Sequence, residues 1–582
     1  MFRTPNTNVL RAVRISAWAL AAAPLATGTC VWAQLLPSRE QIELPEPATA
    51  ELGPSVSVNR ENLRQTPCPF DGSELTASIN TAVFGGPDDR PLPPEINALL
   101  ADISPSGSVE PISQLCELRD EAARRLNDAG YIAAVTIPEQ EITTDAQTAR
   151  LVVILARLVG VQVVGEPGGQ ARRIAARIER LKQIYPLRTA ELERELLLAS
   201  DNPGLDVAMN LAAAPGGQPG EMVGQLRVSR KTFAITANAN NLGSRALGRE
   251  IGSVRVEAYG LTGLADVTFI GASSTLDFEE QWTVQGGHYF TLDNGLTFGG
   301  SLAYAESRPD IGLPLKANSL LGAIEAYYPI IRTVTSRGTL GGGLEIIDQD
   351  SVLSAGGVTA PVTRDKLRVA FAKLEGTKRE FAADGRILGV FSGTLQLRKG
   401  LDIFDATQRG TPDGLYFSSK LEGDPQALIV RGGYSASQRF GDFALLTQLQ
   451  GQYSGVPLLA FEEFSVGNYT IGRGYDPSAT SGDSALGVRI QPSFVIGAGG
   501  TTIEPYGFFD TVRIWNEDIF TTEDGRSLSS AGLGARIYFA DRFVLDAGWA
   551  HPFDRALNVP GATRAPDRLL VSLTASFGPS AR

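Results

Sequence analysis

The sequence predicts a transmembrane β-barrel of 16 antiparallel strands preceded by two small α/β domains. Three observations predict it. From Lys231 onward helical periodicity disappears and apolar residues alternate with polar ones, the pattern of a strand with one face in lipid and one in water. The connections between these segments alternate between tight turns and long loops, as in barrels with short turns at one rim and long loops at the other. The chain opens with an export signal, yet no later run of 18 apolar residues is long enough for a membrane helix.

Residues 1–33 read as a secretory signal peptide. Arg3, Arg11 and Arg14 precede the apolar run from Ala17, which ends in the small-x-small pattern Val31-Trp32-Ala33. Cys30 leaves with it. Cys68 and Cys116 remain, and two thiols in an exported chain are expected to pair, the alternative being two free thiols. Residues 34–65 are a linker rich in Pro and Glu, in which only Ser38 to Leu44 could make a turn or two of helix.

Residues 66–158 form the first α/β domain. Leu75 to Phe84 alternates as a strand, and Pro94 to Ile103 places Ile96, Leu99 and Leu100 on one helical face. Pro111 to Ala129 is a second helix with Leu115, Leu118, Ala122 and Leu126 along one side, ended by Gly130. Strands follow at 131–138 and 149–158. Residues 159–230 repeat this order, with a strand at 160–164, helices at 171–184 and 189–199, and strands at 205–213 and 221–230. The exposed strand edges of such domains either receive an extended peptide or pack on each other, and the residues leave both open.

Residues 231–577 form the barrel, and 578–582 a tail. Sixteen segments alternate, near 232–241, 249–260, 264–274, 279–291, 295–306, 317–330, 335–349, 366–380, 386–399, 425–438, 442–454, 484–496, 501–515, 527–539, 542–550 and 566–577. Tight turns fall at 293–295, 383–385 and 540–541, and long connections at 350–365, 400–424, 455–483 and 551–565. This parity puts both barrel ends at the rim that carries the two domains. A soluble sandwich or propeller would show blade repeats, and none is visible.

Composition narrows the function. The formal charge is −12, so nucleic acid is not an expected partner. His288 and His551 lie far apart with no acid–nucleophile pattern beside them, so neither an enzyme nor a metal site is expected. No nucleotide motif occurs, and no cofactor is expected.

The stretch Phe464 to Val488, which includes most of loop 455–483, is too long for an ordinary connection. At its centre Arg473 stands between Gly472 and Gly474, followed by Tyr475. In the thirteenth segment Glu504, Tyr506, Phe508, Asp510 and Val512 share one face. A buried guanidinium needs a carboxylate, and Asp510 is the candidate. Spacing alone leaves open whether Arg473 points into the barrel or out at the surface.

Gly472-Arg473-Gly474-Tyr475 resembles the V-R-G-Y motif in the sixth extracellular loop of two-partner secretion transporters, the TpsB family, with Gly in place of Val. Phe508-Phe509-Asp510-Thr511-Val512 resembles the later F-x-D-x-G of that family, with Val in place of the last Gly. Residues 130–140 resemble the signature of a first POTRA domain, and the β-α-α-β-β order is similar to that module. The resemblance implies two periplasmic POTRA domains and a 16-stranded barrel in outer-membrane lipid. It implies a lumenal loop 455–483 held by a latch of Arg473, Gly474 and Tyr475 with Phe508 and Asp510. It also implies a secreted exoprotein partner, of the adhesin or haemolysin class, with an N-terminal secretion domain. In this family a plug helix often lies in the linker. The related barrel-assembly insertase usually has more POTRA domains, and a passive porin would need none.

Overall fold

The computed structural model describes residues 36–43, 67–142, 147–382, 384–519 and 521–579. The expected signal peptide 1–33 with Cys30, most of the linker, Ala383 of one expected turn and the last three residues of the tail lie outside the described residues. A single helical turn, α1 (Arg39–Ile42), stands apart from the N-terminal modules and packs on barrel residues.

The first module contains β1 (Thr76–Gly85), α2 (Pro94–Leu100), β2 (Val109–Pro111), α3 (Gln114–Asp128), β3 (Ala133–Thr136) and β4 (Gln147–Leu155). Its sheet runs β2-β1-β4-β3, with β1 and β4 parallel. Leu118, Ala122 and Leu126 recur at helical spacing along α3 and bury against Val153 of β4 and Ile96 of α2. Cys116 on α3 is bonded to Cys68, with sulfurs 1.96 Å apart. The bond closes a sequence separation of 48 residues, so its reduction should destabilise this module by about 4 kcal/mol on the loop-entropy model. Amide exchange should then quicken within 67–155 and leave the barrel unchanged. Two thiols titrating in the unreduced protein would contradict the bond.

The second module contains β5 (Arg157–Gly165), α4 (Ala171–Lys182), α5 (Thr189–Ser200), β6 (Leu205–Ala213) and β7 (Glu221–Arg230), with sheet order β5-β7-β6. Since β5 begins at Arg157, the expected boundary at 158/159 falls inside a strand. The modules meet at Ala156, whose carbonyl accepts from Leu187 N at 3.0 Å while its own amide donates to Ile132 O at 2.9 Å. Among the described residues β6 pairs with β7 alone.

Arg173, Arg177 and Arg180 lie on one face of α4 and converge on a single tight turn of the barrel. Arg173 donates to Thr291 O at 2.6 Å, Arg177 to Asp293 O at 2.8 Å and Arg180 to Asp293 O at 3.2 Å. Carbonyls in a turn lack ladder partners, and the arginines supply them. Asp201 clamps Arg332 with two bonds of 2.6 and 2.8 Å. The second module is therefore docked on the rim of tight turns.

The barrel closes when its last strand, Arg568–Phe577, pairs with its first, Phe233–Asn240, from Ser572↔Asn240 to Phe577↔Ile235. It has 16 antiparallel strands, the twelfth running Ser484–Phe494 and resuming at Ile496–Ala498. One connection departs from the expectation. The long loop at 350–365 is instead a paired hairpin, because the seventh strand (Ser336–Ala355) and the eighth (Val358–Phe381) continue to a turn at Gly356 and Gly357. Beyond the lipid zone neither face has to be apolar, so the ladder continues without the alternation that would reveal it. Ile270, Leu302, Ile324, Leu533 and Leu569 lie exposed on the outward face, as lipid contact requires. At the tight-turn rim Phe443 meets Phe494 at 5.4 Å and Phe543 meets Phe539 at 5.2 Å, part of an aromatic girdle.

Candidate functional site: a lid and a plug inside the barrel

Loop 455–483 folds into the lumen as a lid. Its stem is a two-stranded ribbon, Phe464–Val466 against Thr480–Gly482. Its tip packs on the inner wall, with Val466, Ile471 and Tyr475 buried against Val512, Ile514 and Leu528. The parity expected for the thirteenth strand, Thr501–Trp515, is seen: Tyr506, Phe508, Asp510 and Val512 are buried inward while Phe509 is exposed.

Asp510 is 0% exposed and gathers the tip. Its Oδ2 accepts the amides of Arg473 at 2.9 Å and Gly472 at 3.2 Å, and Ser530 Oγ donates to Oδ1. Its ion-pair partner is Arg489 of the twelfth strand, with Nη2 at 3.0 Å and Nε at 3.3 Å. The expected contact between the Arg473 guanidinium and Asp510 is not made. Arg489 stands directly across the strand pair from Asp510 and fills the carboxylate first. The Arg473 side chain instead runs along the wall towards the tight-turn rim. It donates to Gln491 Oε1 at 3.1 Å and lies 4.4 Å over the Phe508 ring and 5.4 Å from that of Tyr506. The motif thus holds the wall through its backbone, and its guanidinium through aromatic faces.

The flanking residues show why the tip needs this composition. Gly472 has φ 118°, a conformation that favours glycine. A side chain at Gly474 would meet Ser530 Cβ at 2.7 Å and Pro552 N at 3.0 Å, so only glycine lets the backbone reach the wall. There the Gly474 amide donates to Ser530 Oγ at 3.0 Å. The Tyr475 hydroxyl donates to Ser529 O at 2.8 Å and accepts from Asp554 N at 3.0 Å, and Arg568 donates to Tyr475 O at 2.7 Å.

A second centre holds the root of the lid. Arg398 of the ninth strand is 1% exposed and donates to Glu462 of the lid at 2.7 and 3.0 Å and to Glu345 of the seventh strand at 2.6 Å. Arg431 of the tenth strand reaches Glu462 at 3.0 Å. The third guanidinium comes from Arg39 on α1, 2.9 Å from Glu345 and 3.3 Å from Glu462. One turn of the linker, α1, thus lies against the inner wall as a short plug. The Ser38 amide donates to Gln41 Oε1 at 3.0 Å across the turn, and Ile42 is buried against Ala303, Leu321 and Ile347. Gln281 donates to the Gln41 carbonyl at 3.2 Å and Gln349 to that of Pro37 at 3.2 Å. Plug and lid also touch directly, Ser478 donating to Gln41 Oε1 at 3.2 Å. At the outer end the Lys420 ammonium sits among Glu463, Asp518 and Asp483 and ties the lid root to two neighbouring loops. It fills the space that a cation would take between three carboxylates.

Comparisons with known proteins agree on one family. A family model for the haemolysin secretion/activation proteins ShlB/FhaC/HecB matches residues 361–537. The chain is 26% identical over 385 residues to the haemolysin transporter protein ShlB of Serratia marcescens, an alignment covering 62% of this chain and 64% of that one. The chain is similar to the TpsB family of two-partner secretion transporters. It spans just under two thirds of that relative's length. It is also 22% identical over 439 residues to the outer membrane transporter CdiB-2 of Burkholderia pseudomallei, covering 71% of this chain and 69% of that one. The solved structure of CdiB from Escherichia coli superposes with a TM-score of 0.68 at 15% identity, over 99% of this chain and 100% of that one, and shares the fold. The barrel lies in the outer membrane, and its two α/β modules, consistent with POTRA domains, are on the periplasmic side. Its sequence motifs identified Asp510 and the lid tip. Arg489, Glu462, Glu345, Arg398 and Arg431 went unidentified, because an isolated polar residue on an inward face looks like any other wall residue.

Proposed function

We propose that this transporter captures an unfolded exoprotein with its POTRA domains and passes it through the barrel to the cell surface, where folding biases its direction. The observation that carries the reading is the lumen itself. It is occupied by two segments, plug and lid, that are held to the wall by polar side chains and small apolar contacts and take no place in the barrel's strand ladder. Such contacts can be exchanged for those of a passing chain without opening the barrel. The outer edge of β6, which pairs with no other described strand, would supply backbone donors and acceptors for an extended polypeptide. The exoprotein would be of the haemolysin or adhesin class, with an N-terminal secretion domain that the POTRA pair recognises.

Removing residues 67–155 should abolish export of such a partner while the barrel still assembles in the outer membrane. Unimpaired export by that variant would end the capture reading. An insertase would reveal itself instead by a general loss of other outer-membrane proteins. A passive porin would conduct solutes at the same level with or without the POTRA pair.

A further inference from the structure

The outer end of the last two strands carries an ionic cluster on the lipid-facing surface. The fifteenth strand (Phe543–Pro552) turns Asp546, Ala550 and Pro552 inward, where Asp546 meets the Tyr506 hydroxyl at 2.7 Å, so Trp549 and His551 face outward. Leu533, Trp549 and Leu569 are cross-strand neighbours, and the two leucines are 66% and 68% exposed, which marks the apolar belt. One step beyond this belt, toward the outer rim, comes His551. Its Nδ1 is 2.7 Å from Asp567 Oδ1, and its Nε2 is 2.9 Å from Arg564 Nη1. Arginine has only donors, so Nε2 accepts and the ring proton sits on Nδ1, aimed at Asp567. The Trp549 indole donates to the other Asp567 oxygen at 3.2 Å. The imidazole is flanked by aromatic rings, with Trp549 at 5.8 Å and Phe553 at 5.3 Å.

Arg564 is paired with Arg555 across an antiparallel bridge, so both side chains leave the same face. Like charges directly opposite each other repel. Asp567 is the only carboxylate within 4.0 Å of Arg564 among the described residues, and Arg555 has no ion pair among them. The cluster therefore has two arginines for one carboxylate, and Asp567 is already shared with His551 and Trp549. It stands beside a lipid-facing belt at the height where acyl chains give way to headgroups.

We propose that Arg555 and Arg564, with the Trp549–His551–Phe553 face beneath them, bind a phosphate-bearing lipid of the outer leaflet. The two guanidiniums would take the phosphate oxygens and the aromatic face the adjoining acyl or sugar surface. The lipid supplies the anion that relieves the Arg–Arg pair. His551, held by Asp567, fixes the position of Arg564.

The full exported chain in dodecyl maltoside tests this with three probes: diphosphorylated lipid A, the same lipid without its phosphates, and inorganic phosphate. Native mass spectrometry should show saturable retention of lipid A and at least tenfold weaker retention of the dephosphorylated form. The Arg555→Gln/Arg564→Gln variant should lose lipid A affinity at least tenfold while keeping the heat-modifiable mobility of a folded barrel. Trp549→Phe should still retain lipid A but lose the change in tryptophan emission that accompanies it. Wild-type affinity in the double variant would overturn the site. Equal retention of the dephosphorylated lipid would reduce the surface to a hydrophobic one and overturn it also. Competition by inorganic phosphate at lipid A concentrations would show a free-anion site and refute the lipid.

Discussion

Replacing Asp510 by asparagine is expected to free the tip of the lid and abolish export while the barrel remains assembled. The side chain is fully buried, with two lid amides, one serine hydroxyl and the Arg489 guanidinium all directed at it. Removing one partner of a buried ion pair costs about 3–5 kcal/mol, because the other charge stays behind uncompensated. A cost of about 3 kcal/mol alone shifts the closed-to-open ratio of the lid more than a hundredfold. Arg489→Met should have an effect of similar size. Arg473→Ala should cost less, about 1–3 kcal/mol, since it removes one hydrogen bond and a stacking contact but leaves the backbone bonds to Asp510. Protease cleavage within 467–479 and secretion of the partner measure the two consequences. The order of effects is the test. A larger loss for Arg473→Ala than for Arg489→Met would mean that Arg473 is the ion-pair partner of Asp510.

The second large effect is expected at Glu462, where lid, plug and wall share one carboxylate. Glu462→Gln leaves Arg398, Arg431 and Arg39 around a neutral group, with Glu345 and, for Arg39, the half-exposed Glu43 to compensate them. The root of the lid and the plug should loosen together, by about 3 kcal/mol or more, and open-channel conductance in planar bilayers should rise. Arg39→Met should act differently. It leaves Glu345 and Glu462 with Arg398 and Arg431 and deprives only the half-exposed Glu43 of the plug itself of its partner, so its effect should fall on the plug alone. A double-mutant cycle between Arg39 and Glu462 should give a coupling of about 0.5–3 kcal/mol, as for residues in one salt-bridge network. Additive effects within experimental error would separate plug from lid and refute the shared centre.

Much of the architecture was legible because its cause is local. A wall between lipid and lumen must alternate, and Phe508 against Phe509 shows the alternation within two residues. Gly472 and Gly474 were legible for the same reason: a backbone that must turn and then touch a wall admits no side chain. The plug was barely legible, since one turn at Arg39–Ile42 has too few residues for any periodicity. The hairpin at 350–365 was misread as a loop, because outside the lipid its strands have no apolar face to display.

By itself the sequence determined the two α/β modules, the number of wall strands, the face that Asp510 shares with Phe508 and the glycine-flanked arginine at the centre of the long loop. Those follow from which solvent each residue faces, and that is written along the chain. Only the tertiary structure decided that Asp510 pairs with Arg489 and takes no more than the amide of Arg473, and that Arg39 completes a centre with residues more than 300 positions away. Which charges meet depends on the register between strands and on where a threaded segment comes to rest, and neither is encoded in any local pattern.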